Sequence, residues 1–157
     1  MITKRIAVDA NLLLLLVVGS VAPEFIPRHK RLKAYVEADF ELLSNLVVRP
    51  DRIVATPTTL AEVSNLIGFG VAEPYRSNFA RALKNIIDLL DERYQPSRNI
   101  VHEPEFIRLG LSDCAWLGCL DADTELITAD LPLYLIAVSR GLNARNFTHL
   151  RDVARQS

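Results

Sequence analysis

Asp9, Glu62, Asp113 and Asp130 are the side chains whose type and setting could do chemistry in this sequence. Asp9 follows RIAV, Glu62 lies in TTLAEVSNLIG, Asp113 opens DCAWLGCL and Asp130 comes just after ELIT. Asp9 poses the sharpest question, because it interrupts the aliphatic run RIAVDANLLLLLVVGS. A lone carboxylate in such surroundings is costly to bury and tends to take up a proton. In an open parallel sheet, the carboxyl ends of strands and the starts of the helices that follow share one edge. Four acids far apart in the chain can therefore meet there. Gathered carboxylates repel one another and hold their protons more tightly unless cations intervene. Mg2+ or Mn2+, hard ions that take oxygen ligands and keep several waters, suit such a set. The chemistry it allows is metal-assisted attack of water on a phosphodiester. No Ser, Cys or His nucleophile is required, and the sequence has no G-x-S-x-G, Walker loop or dinucleotide fingerprint.

The same acids have plainer roles. Asp9 suits a turn after a strand. Thr59 and Glu62 have capping-box spacing, Asp113 would complement the positive end of its helix, and Asp130 would cap the next one. Other acidic chemistries fit less well. A haloacid-dehalogenase-type enzyme needs Asp-x-Asp after the first strand, and Asn11 fills the second place. Paired early acids with a late Lys, as in receiver domains, are not convincing here. The stretch Asp121 to Glu125 lacks the central Gly and closing Glu of a calcium loop and reads as a solvated turn.

The elements that must position the acids follow from hydrophobic patterning. Arg5–Val8 reads as a buried strand and Leu12–Val18 as an apolar helix stopped near Gly19. A second helix is expected from about Pro27 to Leu46. Its first turns carry Arg28, His29, Lys30, Arg31 and Lys33, which form either a solvated helix start or a patch for a phosphate backbone. Arg52–Thr56 reads as a strand, and TTLAEVSNLIG as a helix stopped at Gly68. Pro74–Tyr94 reads as a long amphipathic helix with Phe79, Leu83, Ile86, Ile87 and Leu90 on one side. Ser112 is expected to cap DCAWLGCL. Glu125–Thr128 reads as a strand, Leu131–Arg140 as a helix closed by Gly141, and Asn143–Phe147 as a last strand. Alternating strands and helices imply an α/β fold, a central parallel sheet with helices on both faces.

With 157 residues, half of them hydrophobic and 24% charged, the chain suits one globular domain over residues 1–157. A net charge of −1 means that any nucleic-acid contact must come from a local patch. Cys114 and Cys119 fall on different faces of one helix, so a bridge between them is not expected, and with three scattered His they make no zinc spacing. Lys4 and Arg5, the run Leu12–Val18 and then Gly19-Ser20-Val21-Ala22 imitate a secretory signal. Asp9 and Asn11 break that pattern, and the run falls short of a membrane span. A reduced, cytoplasmic protein is the simplest expectation.

VDANLLL with Asp9, TLAEVSNL with Glu62, LSDCAWL with Asp113 and ITADLPLYLIAVSRG with Asp130 resemble, in order, the successive motifs of the PIN-domain family. The resemblance covers nearly the whole chain. Its most specific parts are the aliphatic strand into Asp-x-Asn and the Thr-x-Asp after a strand. It implies a ribonuclease dependent on Mg2+ or Mn2+, often the VapC-like toxin of a type II toxin–antitoxin pair. It also implies Asp9, Glu62, Asp113 and Asp130 as metal-binding and catalytic carboxylates. Asn11 would then hold the first carboxylate or a water, and Thr128 would hydrogen-bond within the site. An RNA substrate, a cognate antitoxin and a homodimer would be the partners. Many relatives carry Arg or Asp and an aromatic shortly after the last Asp, whereas this chain has Leu131-Pro132-Leu133-Tyr134. A housekeeping RNA-processing nuclease or an inactive PIN-like scaffold would share the same core. On repulsion alone, Asp9→Asn should abolish cleavage and leave the fold intact or more stable.

Overall fold

Three strands with nearly continuous apolar side chains stand side by side at the centre of the computed structural model, which describes residues 4–157. They are β1 (Arg5–Val8), β2 (Ile53–Ala55) and β4 (Thr124–Thr128). Such runs are the signature of strands covered on both faces. Pairing is parallel throughout, with Ile6 opposite Ile53 on one side of β1 and Glu125 on the other. The edges are β3 (Asp91–Glu92) and β5 (Ala144–Asn146), and the order is β3-β2-β1-β4-β5. β1 and β4 are neighbours from which the chain steps outward in opposite directions. The strand order therefore reverses between them. Right-handed crossovers place the connecting helices on opposite faces of the sheet.

The helices depart from expectation where a side chain or a glycine does something that periodicity does not encode. α1 (Ala10–Val21) is longer than Leu12–Val18 and runs straight through Gly19. Leu12 to Val18 are all in the core, so a stretch that imitates a signal sequence is the central helix of the fold. Gly19 is a packing residue there, since a Cβ built on it would stand 2.2 Å from Cδ2 of the Phe40 ring. The single helix expected from Pro27 to Leu46 is broken. Pro23–Arg28 is a 3-10 turn, residues 29–36 are not helical, and α2 spans Glu37–Val47. His29 breaks it by turning inward. Its Nδ1 accepts from Arg31 N at 3.2 Å, and its Nε2 lies 3.3 Å from the Ile67 carbonyl. Burial lowers its pKa.

α3 is Pro57–Ile67 and α4 is Tyr75–Leu89, which buries Phe79, Leu83 and Ile86 but leaves Ile87 exposed. The expected helix ends early because the chain enters β3, a two-residue strand in a charged sequence that carries no apolar signal. Arg93 N extends that ladder to the Ala55 carbonyl at 2.8 Å, and its guanidinium is held by Asp91, Asp121 and the Cys119 carbonyl. Two short helices, α5 (Ser97–Ile100) and α6 (Phe106–Leu109), lead to α7 (Leu111–Cys119). α8 (Leu131–Ser139) is followed by Gly141 at φ 73°. α9 (Phe147–Gln156), not expected from patterning, is capped by Asn146 and plugs the core with Phe147. Its Arg151 reaches back to Asp39 on α2 at 3.1 Å and to the Ala34 carbonyl. Among the described residues, no helix is long and apolar enough to cross a membrane.

Gly19→Ala places a methyl inside the Phe40 ring, an overpacking that should cost about 1–3 kcal/mol. Urea unfolding of Gly19→Ala, Phe40→Ala and the double variant should show clear non-additivity, with Phe40→Ala absorbing much of the glycine effect. Additive losses would mean that the ring is not what keeps position 19 small.

Candidate functional site

Above the carboxyl ends of β1 and β4, a cleft of about 340 Å3 is lined by Asp9, Asn11, Glu62, Asp113 and Asp130 together with Thr59, Ser112 and Trp116. The acids come from four separate elements. β1 delivers Asp9 and β4 leads to Asp130, while α3 and α7 start at the same edge and contribute Glu62 and Asp113. The cleft therefore lies at the point where strand order reverses, the usual ligand position in open parallel sheets.

Asp9 caps α1 and is half-buried. Its Oδ1 accepts from Leu12 N at 3.0 Å, and its Oδ2 accepts from Thr128 Oγ1 at 2.6 Å and Ala129 N at 3.0 Å. The Thr128 hydroxyl accepts in turn from Asp130 N at 3.0 Å, and Asp130 Oδ1 caps α8 by accepting from Leu133 N at 3.0 Å. One continuous chain of hydrogen bonds thus joins the two strand ends. Burial pushes the Asp9 pKa up most strongly. The hydroxyl and two amides pull it down, and the nearby Asp130 charge raises it again, leaving it raised overall. Thr128 is fully buried and spans the two acids, whereas Asn11 and Glu62 stand exposed at the rim.

Asp113 shows the electrostatic cost of gathering acids. Its pKa is pushed up to about 6, first by burial and then by Asp130, Asp9 and Glu62 in that order. These groups feel one another, and an all-oxygen donor set of this kind suits a hard divalent ion. Among the described residues, however, no group of three or more His, Cys, Asp or Glu is drawn together as a ready metal cage. The hydrogen bonds give a reason. Asp9 Oδ2 has both acceptor directions taken, and Asp9 Oδ1 and Asp130 Oδ1 each serve a helix amide. What remains toward the cleft is one acceptor direction on Asp9 Oδ1, the second oxygen of Asp130, and the carboxylates of Asp113 and Glu62.

Two capping expectations are corrected. α3 begins at Pro57 and is capped by Thr56, whose Oγ1 accepts from Thr59 N at 3.3 Å, so Thr59 and Glu62 form no capping box. Proline at the first helical position starts the helix one turn earlier. Glu62 is left free of capping duty. α7 is entered through Gly110 at φ 85°, with no side-chain cap from Ser112, which lines the cleft instead. The stability expected of Asp9→Asn is corrected as well. With amide donors facing both oxygens, an Asn at position 9 would turn its own NH2 onto a donor. Trp116, within the apolar stretch DCAWLGCL, is core and also walls the cleft. Thr59, Ser112 and Trp116 were missed as site residues. Their signal is helical spacing from the acids, Thr59 three before Glu62 and Trp116 three after Asp113.

Comparison of the chain with protein-family models, with curated proteins and with solved structures gave no match in any of the three.

A carboxyl group whose folded pKa lies above its unfolded value stabilises the fold below the unfolded pKa, and that contribution is lost as pH rises through the folded one. For Asp113 the window runs from about 3.8 to about 6. Thermal melts in EDTA should therefore show Asp113→Asn melting close to the parent near pH 4 and progressively above it toward pH 7. A gap that is equal at both pH values would mean that the acids do not burden one another.

Proposed function

We propose that this protein is a Mg2+- or Mn2+-dependent ribonuclease that hydrolyses RNA phosphodiester bonds at the acid cleft, acting as the toxin of a type II toxin–antitoxin pair. The observation that carries the hydrolase reading is the convergence of Asp9, Glu62, Asp113 and Asp130, from four elements, on one cleft at the reversal of strand order. The choice of RNA and the toxin role rest on the resemblance of the four motifs to the PIN-domain family.

Asp113, Glu62, the second oxygen of Asp130 and the remaining acceptor direction of Asp9 Oδ1 would hold the ion. When bound, it would supply polarisation of a phosphoryl oxygen and a more acidic water. Thr128 keeps Asp9 and Asp130 in fixed relative positions, so little reorganisation is left for the moment of reaction. Asn11, exposed at the rim beside Asp9, is placed to orient a water or a phosphate oxygen. The helices α1, α3, α7 and α8 all begin at this edge. Their amino ends favour anionic oxygens and offset part of the repulsion between an acidic cleft and a phosphodiester.

Two further parts of the reading concern partners. The outer stripe of α8, with Leu131, Leu135 and Val138 exposed on a helix free of charged residues, is where a second copy would pair without like charges meeting. A protein antitoxin would be the natural inhibitor of such a nuclease. The absence of a ready metal cage among the described residues favours a second reading, a PIN-like scaffold that no longer turns over.

Asp113→Asn and Glu62→Gln are the informative substitutions, since neither breaks the Asp9 network. Each should lower RNA cleavage about 100-fold or more and weaken Mn2+ binding by titration calorimetry. EDTA should abolish cleavage by the parent. Cleavage that persists in EDTA would end the metal-dependent reading. Tight Mn2+ binding with no cleavage of a broad RNA panel would favour the scaffold.

A further inference from the structure

The carboxyl end of α3 borders a second hollow, of about 440 Å3, lined by Ser64, Asn65, Gly68, Phe69, Gly70 and Arg76. Its positive charge comes from Lys30 and Arg76, which lie at the negative end of the α3 dipole. Phe69 is 58% exposed, and Lys30 Nζ lies 5.1 Å from its ring centroid. The glycines let two cations lie against the loop. A Cβ on Gly70, which has φ 71°, would stand 2.9 Å from Lys30 Cε, and one on Gly68 would stand 3.2 Å from Arg76 Nε. His29, buried with its Nε2 3.3 Å from the Ile67 carbonyl, pins the Lys30 segment to this end of α3. Among the described residues, neither Lys30 nor Arg76 forms an ion pair, whereas Arg93, Arg140, Arg145 and Arg151 all do. Exposed Glu73, on the same stretch as Arg76, hydrogen-bonds to Ser77, and those bonds chiefly lower its pKa, with Arg76 and Arg81 adding to them.

The hollow and the acid cleft both border α3. Glu62 lines the cleft, Asn65 lines the hollow about one helical turn further on, and Phe69 follows the end of the helix. A rise of about 1.5 Å per residue puts Glu62 roughly 7.5 Å along the axis from Ile67, the last residue of the helix. An unpaired Lys30 at an exposed aromatic ring, with unpaired Arg76 and hydroxyl and amide side chains lining the adjoining hollow, supplies the elements of single-strand recognition: charge for the backbone, a π face for a base.

We infer that Lys30, Arg76 and Phe69 form a subsite for single-stranded RNA. A phosphate sits between the two cations with Ser64 and Asn65 as hydrogen-bonding partners, and a base rests against the open part of the Phe69 ring. The subsite rests on the reading of the acid cleft as an RNA site. It holds the strand a short step from the carboxylates. It differs from the expected basic helix start, because His29 is buried and the cationic face is built jointly by the 29–36 segment and the α3–α4 junction.

The test is fluorescence anisotropy of a labelled single-stranded oligoribonucleotide of about ten nucleotides in EDTA, where nothing is cut. The Lys30→Ala/Arg76→Ala double variant should bind at least about tenfold more weakly. Its slope of log K against log salt should be shallower by about 0.7, for the one phosphate that the two cations hold. Phe69→Ala should lose roughly tenfold with the slope unchanged. All three side chains are exposed, and unchanged melting curves verify the fold. Parental affinity and slope in the double variant, or indifference to Phe69→Ala, would overturn the subsite. Cleavage by the parent with unaltered binding by the double variant would sink the subsite alone. Loss of binding in the double variant of a chain that cuts no RNA would sink the nuclease and keep the subsite.

Discussion

The carboxylate of Asp9 is the constraint on which the remainder of this structure turns. It sits at the end of the central strand and the start of the central helix, yet two of its three hydrogen bonds go to Thr128 and Ala129 at the far end of the sequence. A buried acid is tolerable only when its acceptor directions are filled. Here the partners come from β4, so meeting that requirement also sets the register of β1 against β4. The two strands between which the order reverses are thus locked by the same group that the proposed chemistry uses. The site and the topology are not separable.

This coupling explains why α1 can be apolar on every side. A helix with no polar face belongs in the interior. α1 packs against α2, α3 and α4 and against the first 3-10 turn, so it has no solvent face to advertise. Its single polar anchor is its cap. With Leu12 to Val18 all buried, displacement of Asp9 would be felt through the core rather than at the surface. Gly19 serves the same packing, since removing its side chain is what lets Phe40 come close.

The fold was legible wherever one segment carried its own signal. β1 and the ELIT strand are short apolar runs bounded by polar residues, and the acid after each lands where a parallel sheet must put it. The reading failed where a distant residue decides. His29 breaks an expected helix because its ring bonds to the end of α3. Thr56 rather than Thr59 caps α3, because Pro57 starts the helix earlier than the Thr-x-x-Glu pattern suggests. β3 is held by the Ala55 carbonyl and by ion pairs of Arg93, not by its own two residues. α9 has a polar sequence and depends on Phe147, Asn146 and the Arg151–Asp39 pair for its place. The four acids were identifiable singly. That Thr128 bridges two of them requires knowing that β4 lies next to β1.

A net charge of −1 conceals a separation that bears directly on how a nucleic acid would approach. The cleft concentrates four acids, whose charges add to burial in pushing Asp113 up to about 6, while exposed Lys30 and Arg76 lie at the end of α3. Glu62 and the end of α3 lie roughly 7.5 Å apart along the helix axis, close to the Debye length of about 8–10 Å at ordinary salt. A polyanion arriving without a divalent ion would thus feel attraction at one end of the helix and repulsion at the other. On the proposed reading, a cation in the cleft would offset the repulsion and let the strand extend from the cationic hollow across the carboxylates. Ion and strand would then favour each other's binding, although they would touch different side chains. The cooperativity would follow from charge placement on a single helix, with no conformational change required.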